Sequence, residues 1–140
     1  EFDGNQVDVS KWYTCEDGWS RTSDDSLAYI LDNNTSVNNG VLEITAKYQP
    51  DYYEVAKFDE NGNPYTENEF FSSTSGMIQS KMNFKYGLFE AMVWIPEGKA
   101  LWPSFWLWGP YGYQNIGTEI DIFEFKTSNQ ILTKQYIKVD

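Results

Sequence analysis

Three carboxylates stand close together late in the chain, in the stretch Gly117 to Phe125, which reads GTEIDIFEF. Glu119 and Asp121 alternate with isoleucines, as residues of a half-buried strand do. Glu124 then comes one place late for that alternation. Carboxylates at such spacing can transfer protons to a bound molecule or attack it as nucleophiles. An acidic strand face can also be plain solvated surface, so the chemistry depends on whether all three side chains meet.

A β-bulge between Asp121 and Glu124 would bring them together. One extra residue shifts the side-chain phase by one, so the three carboxylates share a face while Ile120 and Phe125 share the other. Alternate residues lie about 6–7 Å apart at a rise of about 3.3 Å per residue, and Glu119 can lean towards Glu124 over the short aspartate. A carboxyl separation of about 5–5.5 Å is typical of a retaining glycoside hydrolase. In that reaction one carboxylate attacks the anomeric carbon, and the other protonates the leaving oxygen and then activates water.

The composition of the 140 residues excludes several other chemistries. There is no histidine, which excludes Ser-His-Asp and Cys-His catalysis and the usual zinc sites. The net charge is −11, so the chain would repel nucleic-acid phosphates and anionic membranes. The single Cys15 is expected to be a small packed residue. Carboxylates remain as the main groups for acid–base work.

An aromatic stretch, LWPSFWLWG, lies just upstream of the acidic strand. Trp102, Trp106 and Trp108 differ by even numbers, so they share one face of a strand, unlike Phe105. Core packing explains many aromatic strands. Several tryptophans beside carboxylates instead favour a cleft that stacks against sugar rings.

The elements that must position these residues are predicted to be strands throughout. We expect strands over 40–48, 75–84, 87–96, 102–109 and around Glu119, with 130–139 as a candidate last strand. The polar segment 51–75 is predicted to be a long surface loop. No linker or repeat divides residues 1–140, which therefore read as a single, incomplete domain with an all-β sandwich or barrel fold.

Together these motifs resemble glycoside hydrolase family 16, in the laminarinase- and agarase-like form with a bulged acidic motif. The resemblance rests on EIDIFE (residues 119–124), EFDGNQVDVSKW (residues 1–12) and the long stretch from Ser75 to Gly109. It covers most of the chain to about Leu132 and is weakest over 51–75. It implies a concanavalin-like β-jelly-roll sandwich, of which the chain covers about half.

The resemblance also implies roles for single residues. Glu119 would be the nucleophile, Asp121 its partner and Glu124 the acid/base. Substrate would contact Trp102, Trp106 and Glu90, and the even spacing of the tryptophans adds Trp108 to this set. No cofactor would be required. A structural calcium ion is possible, with Gly40 as a backbone ligand, although the later ligand of the family is missing.

The implied activity is endo-hydrolysis of a β-linked polysaccharide by a secreted, extracellular or periplasmic enzyme. β-1,3-glucan and mixed-linkage glucan are neutral and suit an acidic protein, and agar-type β-galactan suits the bulged motif equally well. Met92 stands where the family often has an arginine, and Tyr113 to Thr118 lacks the Trp-Pro usual in laminarinases. Neither nucleic acid nor membrane is expected as a partner. A missing segment or a second chain is expected to complete the sandwich.

Two other functions stay open. A lectin-like carbohydrate-binding sandwich would keep the tryptophans and lose hydrolysis. A surface or adhesion protein would have no sugar site at all. The presence of both glutamates favours the enzyme over either.

Overall fold

A computed structural model describes residues 2–14, 27–109, 119–127, 130–132 and 135–136. Cys15 and residues 110–118, including Tyr113 to Thr118, lie outside the described part. The described elements are strands apart from one short 3-10 helix, which confirms the all-β class. Two compact units form, Glu1–Gly87 and Leu88–Asp140. The interpretation as a single domain stays a prediction.

The described residues of the first unit form seven strands, some short and two long. They are β1 (Trp12–Tyr13), β2 (Ala28–Ile30), β3 (Thr35–Asn38), β4 (Val41–Ile44), β5 (Lys47–Phe58), β6 (Pro64–Ser75) and β7 (Gln79–Ser80), with the 3-10 helix Asp32–Asn34 before β3. β1 pairs with β7 and β3 with β4, both antiparallel. β6 lies between β5, which is antiparallel to it, and β2, which is parallel. The strands predicted over 40–48 and 75–84 are therefore present only in part.

The loop prediction for 51–75 is wrong, because this segment belongs to the hairpin of β5 and β6. The Lys57 ammonium forms ion pairs across the hairpin with Glu69 and, at 2.9 Å, with Glu67. Hydrogen bonds to these two carboxylates raise the pKa of Lys57 above the ordinary lysine value, and the bond to Glu69 has the larger effect. One extra residue of β5 falls between Tyr48 and Asp51, where Pro50 can stand without an N–H to donate. The segment looks polar because most of its side chains are exposed.

The core of the first unit is aromatic and covers one face of this hairpin. Tyr29 of β2 stacks on Tyr53 at 4.5 Å between ring centroids and packs against Phe71 at 5.5 Å. Val55 completes the buried cluster, and the Tyr29 hydroxyl donates to the Glu54 carbonyl at 2.9 Å. Burying each large side chain stabilises the fold by about 1.5–3 kcal/mol.

The second unit is a four-stranded antiparallel sheet built around one strand. β9 (Glu119–Thr127) pairs with β8 (Ser104–Trp108) on one side, and with β10 (Gln130–Leu132) and β11 (Gln135–Tyr136) on the other. Within the predicted final strand, 130–139, the described residues form the two short strands β10 and β11. The sheet places β9, which carries all three carboxylates, between neighbours.

The strand predicted over 87–96 is wrong for this structure. The segment alternates as a strand would, with Leu88, Met92 and Trp94 strongly exposed, but in the described chain no strand pairs with it. A β-strand exists only where a neighbour takes its backbone hydrogen bonds, and alternation alone cannot supply one. Among the described residues there is also no helix long and apolar enough to cross a membrane.

Candidate active site

The pairing of β8 with β9 contains the bulge that the acidic motif predicts. Phe105 pairs with Phe123, but the next residue, Trp106, pairs with Asp121. Ile122 is therefore the extra residue of β9, and the phase of β9 changes there. The break in the polar–apolar alternation between Asp121 and Glu124 therefore coincides with a β-bulge in the structure.

The bulge puts the three carboxylates on one face of the sheet. Directly paired residues of antiparallel strands point to the same side, and Glu119 pairs with Trp108, Asp121 with Trp106 and Glu124 with Ser104. Because 104, 106 and 108 alternate along a regular β8, all six side chains share that side. We call it the carboxylate face; its members are Ser104, Trp106, Trp108, Glu119, Asp121 and Glu124.

The opposite face of the same two strands is apolar. Phe105 lies against Phe123 at 6.2 Å, and Phe123 lies against Phe125 at 5.5 Å, both in edge contact. Leu107 and Ile120 pair on this side too. Phe123, which seemed out of phase in the sequence, is half-buried here. The aromatic contacts fix the pairing of β8 and β9, and with it the positions of the carboxylates.

Burial differs among the carboxylates. Asp121 is only 7% exposed, whereas Glu119 and Glu124 are half-buried. A molecule at this face could therefore reach the two glutamates more easily than the aspartate.

The predicted tryptophans divide between two roles. Trp106 and Trp108 lie in edge contact, 5.8 Å between centroids at 85°, on the carboxylate face. Trp102 precedes β8, and its indole Nε1–H donates to Glu124 Oε1 at 2.8 Å. Sequence reasoning did not find this bond, because it joins residues far apart in the chain. The only local signal is Pro103, which fixes the backbone where β8 begins.

Glu90 is exposed and belongs to no strand, so the structure does not place it on the carboxylate face. The family alternation that suggested it needs a strand over 87–96, which is absent. Its role in binding substrate stays a prediction.

Gly40 lies in the turn between β3 and β4 with φ 78°. Calcium takes six to eight oxygen ligands, usually including carboxylates. Within the described ranges, no three acidic, histidine or cysteine side chains gather to hold a metal. Backbone carbonyls also bind calcium, so the contribution of Gly40 to a calcium site stays a prediction, and no step below depends on a metal.

Comparison with known proteins finds a matching family profile and several related proteins. A family profile described as Glycosyl hydrolases family 16 matches residues 23–139. The chain is 30% identical over 130 residues to an Endo-1,3-1,4-beta-glycanase ExsH of Rhizobium meliloti, covering 85% of the chain and 25% of that protein. It is 30% identical over 132 residues to a Glucan endo-1,3-beta-glucosidase of Cryptopygus antarcticus, covering 90% and 44%. A Beta-porphyranase B of Zobellia galactanivorans is 29% identical over 130 residues, covering 89% and 39%.

The chain thus spans between a quarter and somewhat under half of the length of these relatives. No solved structure gives a significant match. The family profile covers most of the chain, including β8, the bulge and all three carboxylates. The strand-rich architecture is that of a partial concanavalin-like jelly-roll sandwich, and the chain belongs to family 16 of the glycosyl hydrolases.

Proposed function

We propose that this family 16 chain carries the catalytic centre of a retaining, endo-acting β-glycanase. The observation that supports it most is the carboxylate face, where a bulge gathers Glu119, Asp121 and Glu124 beside two tryptophans. Two carboxyl groups that flank a scissile glycosidic bond can perform double displacement. The nearby aromatic rings can hold that ring in place.

In the first half of the reaction, Glu119 attacks the anomeric carbon and forms a glycosyl-enzyme ester. The bond to the leaving oxygen breaks, and Glu124 gives that oxygen its proton. In the second half, Glu124 takes a proton from water, and the water oxygen attacks the same carbon. The ester bond to Glu119 breaks, which restores both residues and returns the original anomeric configuration.

Asp121 is the most buried of the three and stands between them in the strand. We assign it the role of orienting Glu119, which lies two residues before it on the same face. Trp106 and Trp108 supply the sugar-stacking surface.

The substrate is proposed to be a neutral or weakly charged β-linked polymer. Relatives carry the names endo-1,3-1,4-beta-glycanase, glucan endo-1,3-beta-glucosidase and beta-porphyranase. The net charge of −11 favours β-1,3-glucan, mixed-linkage glucan or agar-type galactan over strongly sulfated carrageenan. Because such polymers do not enter cells, we propose that the protein is secreted.

A carbohydrate-binding function is the second candidate. Trp108 is 36% exposed on the carboxylate face, and a stacking surface can bind sugar whether or not hydrolysis follows. Activity and binding must therefore be measured together.

The test is release of reducing ends from laminarin, lichenan, agarose, porphyran and carrageenan. The chain is compared with Glu119→Gln, and with Glu97→Gln as a control that alters an exposed glutamate outside the strands. Release from one polymer, lost in Glu119→Gln and kept in the control, supports the proposal. Binding without release favours the second candidate, and equal release from chain and Glu119→Gln overturns the assigned nucleophile.

A further inference from the structure

The bond between Trp102 and Glu124 links an aromatic residue to the proposed acid/base. Trp102 Nε1 donates to Glu124 Oε1 at 2.8 Å. The backbone N–H of Phe125, the next residue, donates to the Pro103 carbonyl at 3.1 Å. Trp102 and Pro103, which precede β8, are therefore hydrogen-bonded to the adjacent residues Glu124 and Phe125 of β9.

An indole N–H can only donate a hydrogen bond. The oxygen that accepts it, Oε1, therefore cannot carry a proton directed at the indole. A protonated carboxyl accepts hydrogen bonds better through its carbonyl oxygen than through its hydroxyl oxygen, so this bond favours the transferable proton of Glu124 on Oε2. The bond fixes both the side-chain rotamer and the oxygen that meets the leaving group.

We propose that Trp102 is a positioning residue, which holds Glu124 so that Oε2 delivers the proton and Oε1 stays an acceptor. This inference rests on the proposed retaining function. As the proton leaves, the carboxyl group gains charge, and a hydrogen bond to an ionised acceptor is stronger than one to a neutral acceptor. Trp102 thus favours the step in which the leaving oxygen is protonated.

The bond uses the N–H edge of the indole, so it does not by itself exclude the predicted contact of the ring face with sugar. Trp102 donates through its edge and is 36% exposed. A sugar can stack on the ring face while the ring edge donates the hydrogen bond. Trp102 would then contribute both to substrate binding and to the position of the Glu124 carboxyl group.

The kinetic test uses Trp102→Phe, which keeps a ring for stacking and removes the N–H. Its control is Trp94→Phe, the same change at a tryptophan that is 96% exposed and outside the site. Each is assayed on the polymer that the chain hydrolyses, and on a dinitrophenyl glycoside of its disaccharide, whose leaving group needs no proton. Loss of one hydrogen bond to a charged group predicts a kcat about 10- to 100-fold lower on the polymer. On the dinitrophenyl glycoside the rate of the first step should change by less than about threefold.

A purely structural or stacking role gives a different result. Equal losses on both substrates, or a change in KM alone, would overturn the inference while leaving the glycanase function intact. No hydrolysis of any polymer or glycoside by the unaltered chain would overturn the function, and the positioning role with it.

Proton NMR tests the bond itself without hydrolysis. In the unaltered chain, the Trp102 indole N–H should exchange with water more slowly than that of Trp94. In Glu124→Ala, its resonance should shift and its exchange should become faster. A Trp102 resonance indifferent to Glu124→Ala would contradict the proposal even if Trp102→Phe failed to fold.

Discussion

Among the glycines that the structure describes in the first unit, Gly76 has the least space for a side chain. A Cβ added there would lie 2.5 Å from Thr35 Oγ1 and 2.8 Å from the Asn34 carbonyl oxygen. Asn34 is itself buried, and its amide donates to Thr74 Oγ1 at 2.9 Å and to the Thr45 carbonyl at 3.0 Å. A shift of this backbone would therefore disturb a buried hydrogen-bond network.

We expect Gly76→Ala to lower the free energy of unfolding by about 1–3 kcal/mol, the usual effect of overpacking. Urea unfolding measures it. Gly4→Ala is the matched control, because its Cβ would have only ordinary contacts of 3.7 Å. That variant should change stability by about 0.5 kcal/mol or less. Equal stabilities for both variants would show that the close approach at Gly76 is wrong.

At the scale of the residue, the sequence predicts the bulge but not the partner of Glu124. The bulge is readable because Glu124 breaks a local period of two, and only one extra residue restores it. The indole of Trp102 meets Glu124 through the pairing of β8 and β9, which no local pattern encodes. Hydrogen bonds between distant segments become visible only once the strand register is known.

At the scale of the element, the hairpin of β5 and β6 also shows that local sequence patterns do not reveal which strands pair. Its turn signal, Asn61 to Pro64, is present in the sequence, yet most of the hairpin is exposed on both faces. Polar side chains hide the alternation of these paired strands, whereas 87–96 alternates well and has no pairing partner. Periodicity reports the burial of faces, while strand formation also depends on a neighbour.

Two adjacent phenylalanines of β6 provide a test of which hairpin face is covered. Phe71 is 9% exposed within the aromatic core, whereas Phe70 is 58% exposed and touches Tyr52 edge-on. Phe71→Ala should cost about 3–5 kcal/mol of unfolding free energy. Phe70→Ala should cost about 1.5 kcal/mol at most. Chemical denaturation of both variants compares them, and a larger loss for Phe70→Ala would reverse the assigned faces.

The tip of the hairpin should respond to acid. The Asn63 side chain, and then its backbone N–H, donate to Asp59 and lower the pKa of that carboxyl below its usual range. Because the folded pKa is the lower one, the stabilisation is fully present above the unfolded value of about 3.9. It is lost as the pH falls from there through the folded value.

Carbon-detected NMR from pH 6 downwards to about pH 2 follows this titration. The Asp59 carboxyl should titrate below the ordinary aspartate value, and the Asn61 and Asn63 amide protons should shift with it. In Asp59→Asn those amide shifts should not follow such a titration. A midpoint at or above the ordinary value would contradict the described turn.

At the scale of the whole molecule, the segment 87–96 exposes an unusual amount of apolar surface. Leu88 is 84% exposed, Met92 103% and Trp94 96%. Contiguous apolar surface and unpaired backbone favour association. We propose that a further segment or a second copy of the chain covers it, as expected of a partial sandwich.

Without another covering segment, copies of the chain should therefore self-associate as concentration rises. Met92→Lys and Trp94→Lys should weaken the association, because a charge there would have to be desolvated. Glu97→Lys adds a positive charge at an exposed position and serves as the control. Sedimentation velocity measures all four proteins. A chain that stays monomeric at every concentration would contradict the expectation.

The most direct test of the account is the stereochemistry of hydrolysis. The carboxylate face is proposed to work by double displacement, so the first sugar released should keep the β configuration of the bond that was cut. Proton NMR of the anomeric signals, recorded before mutarotation, shows which anomer forms first. Early accumulation of the β anomer is the predicted result. Early accumulation of the α anomer would contradict a nucleophilic Glu119 and the double displacement proposed for this face.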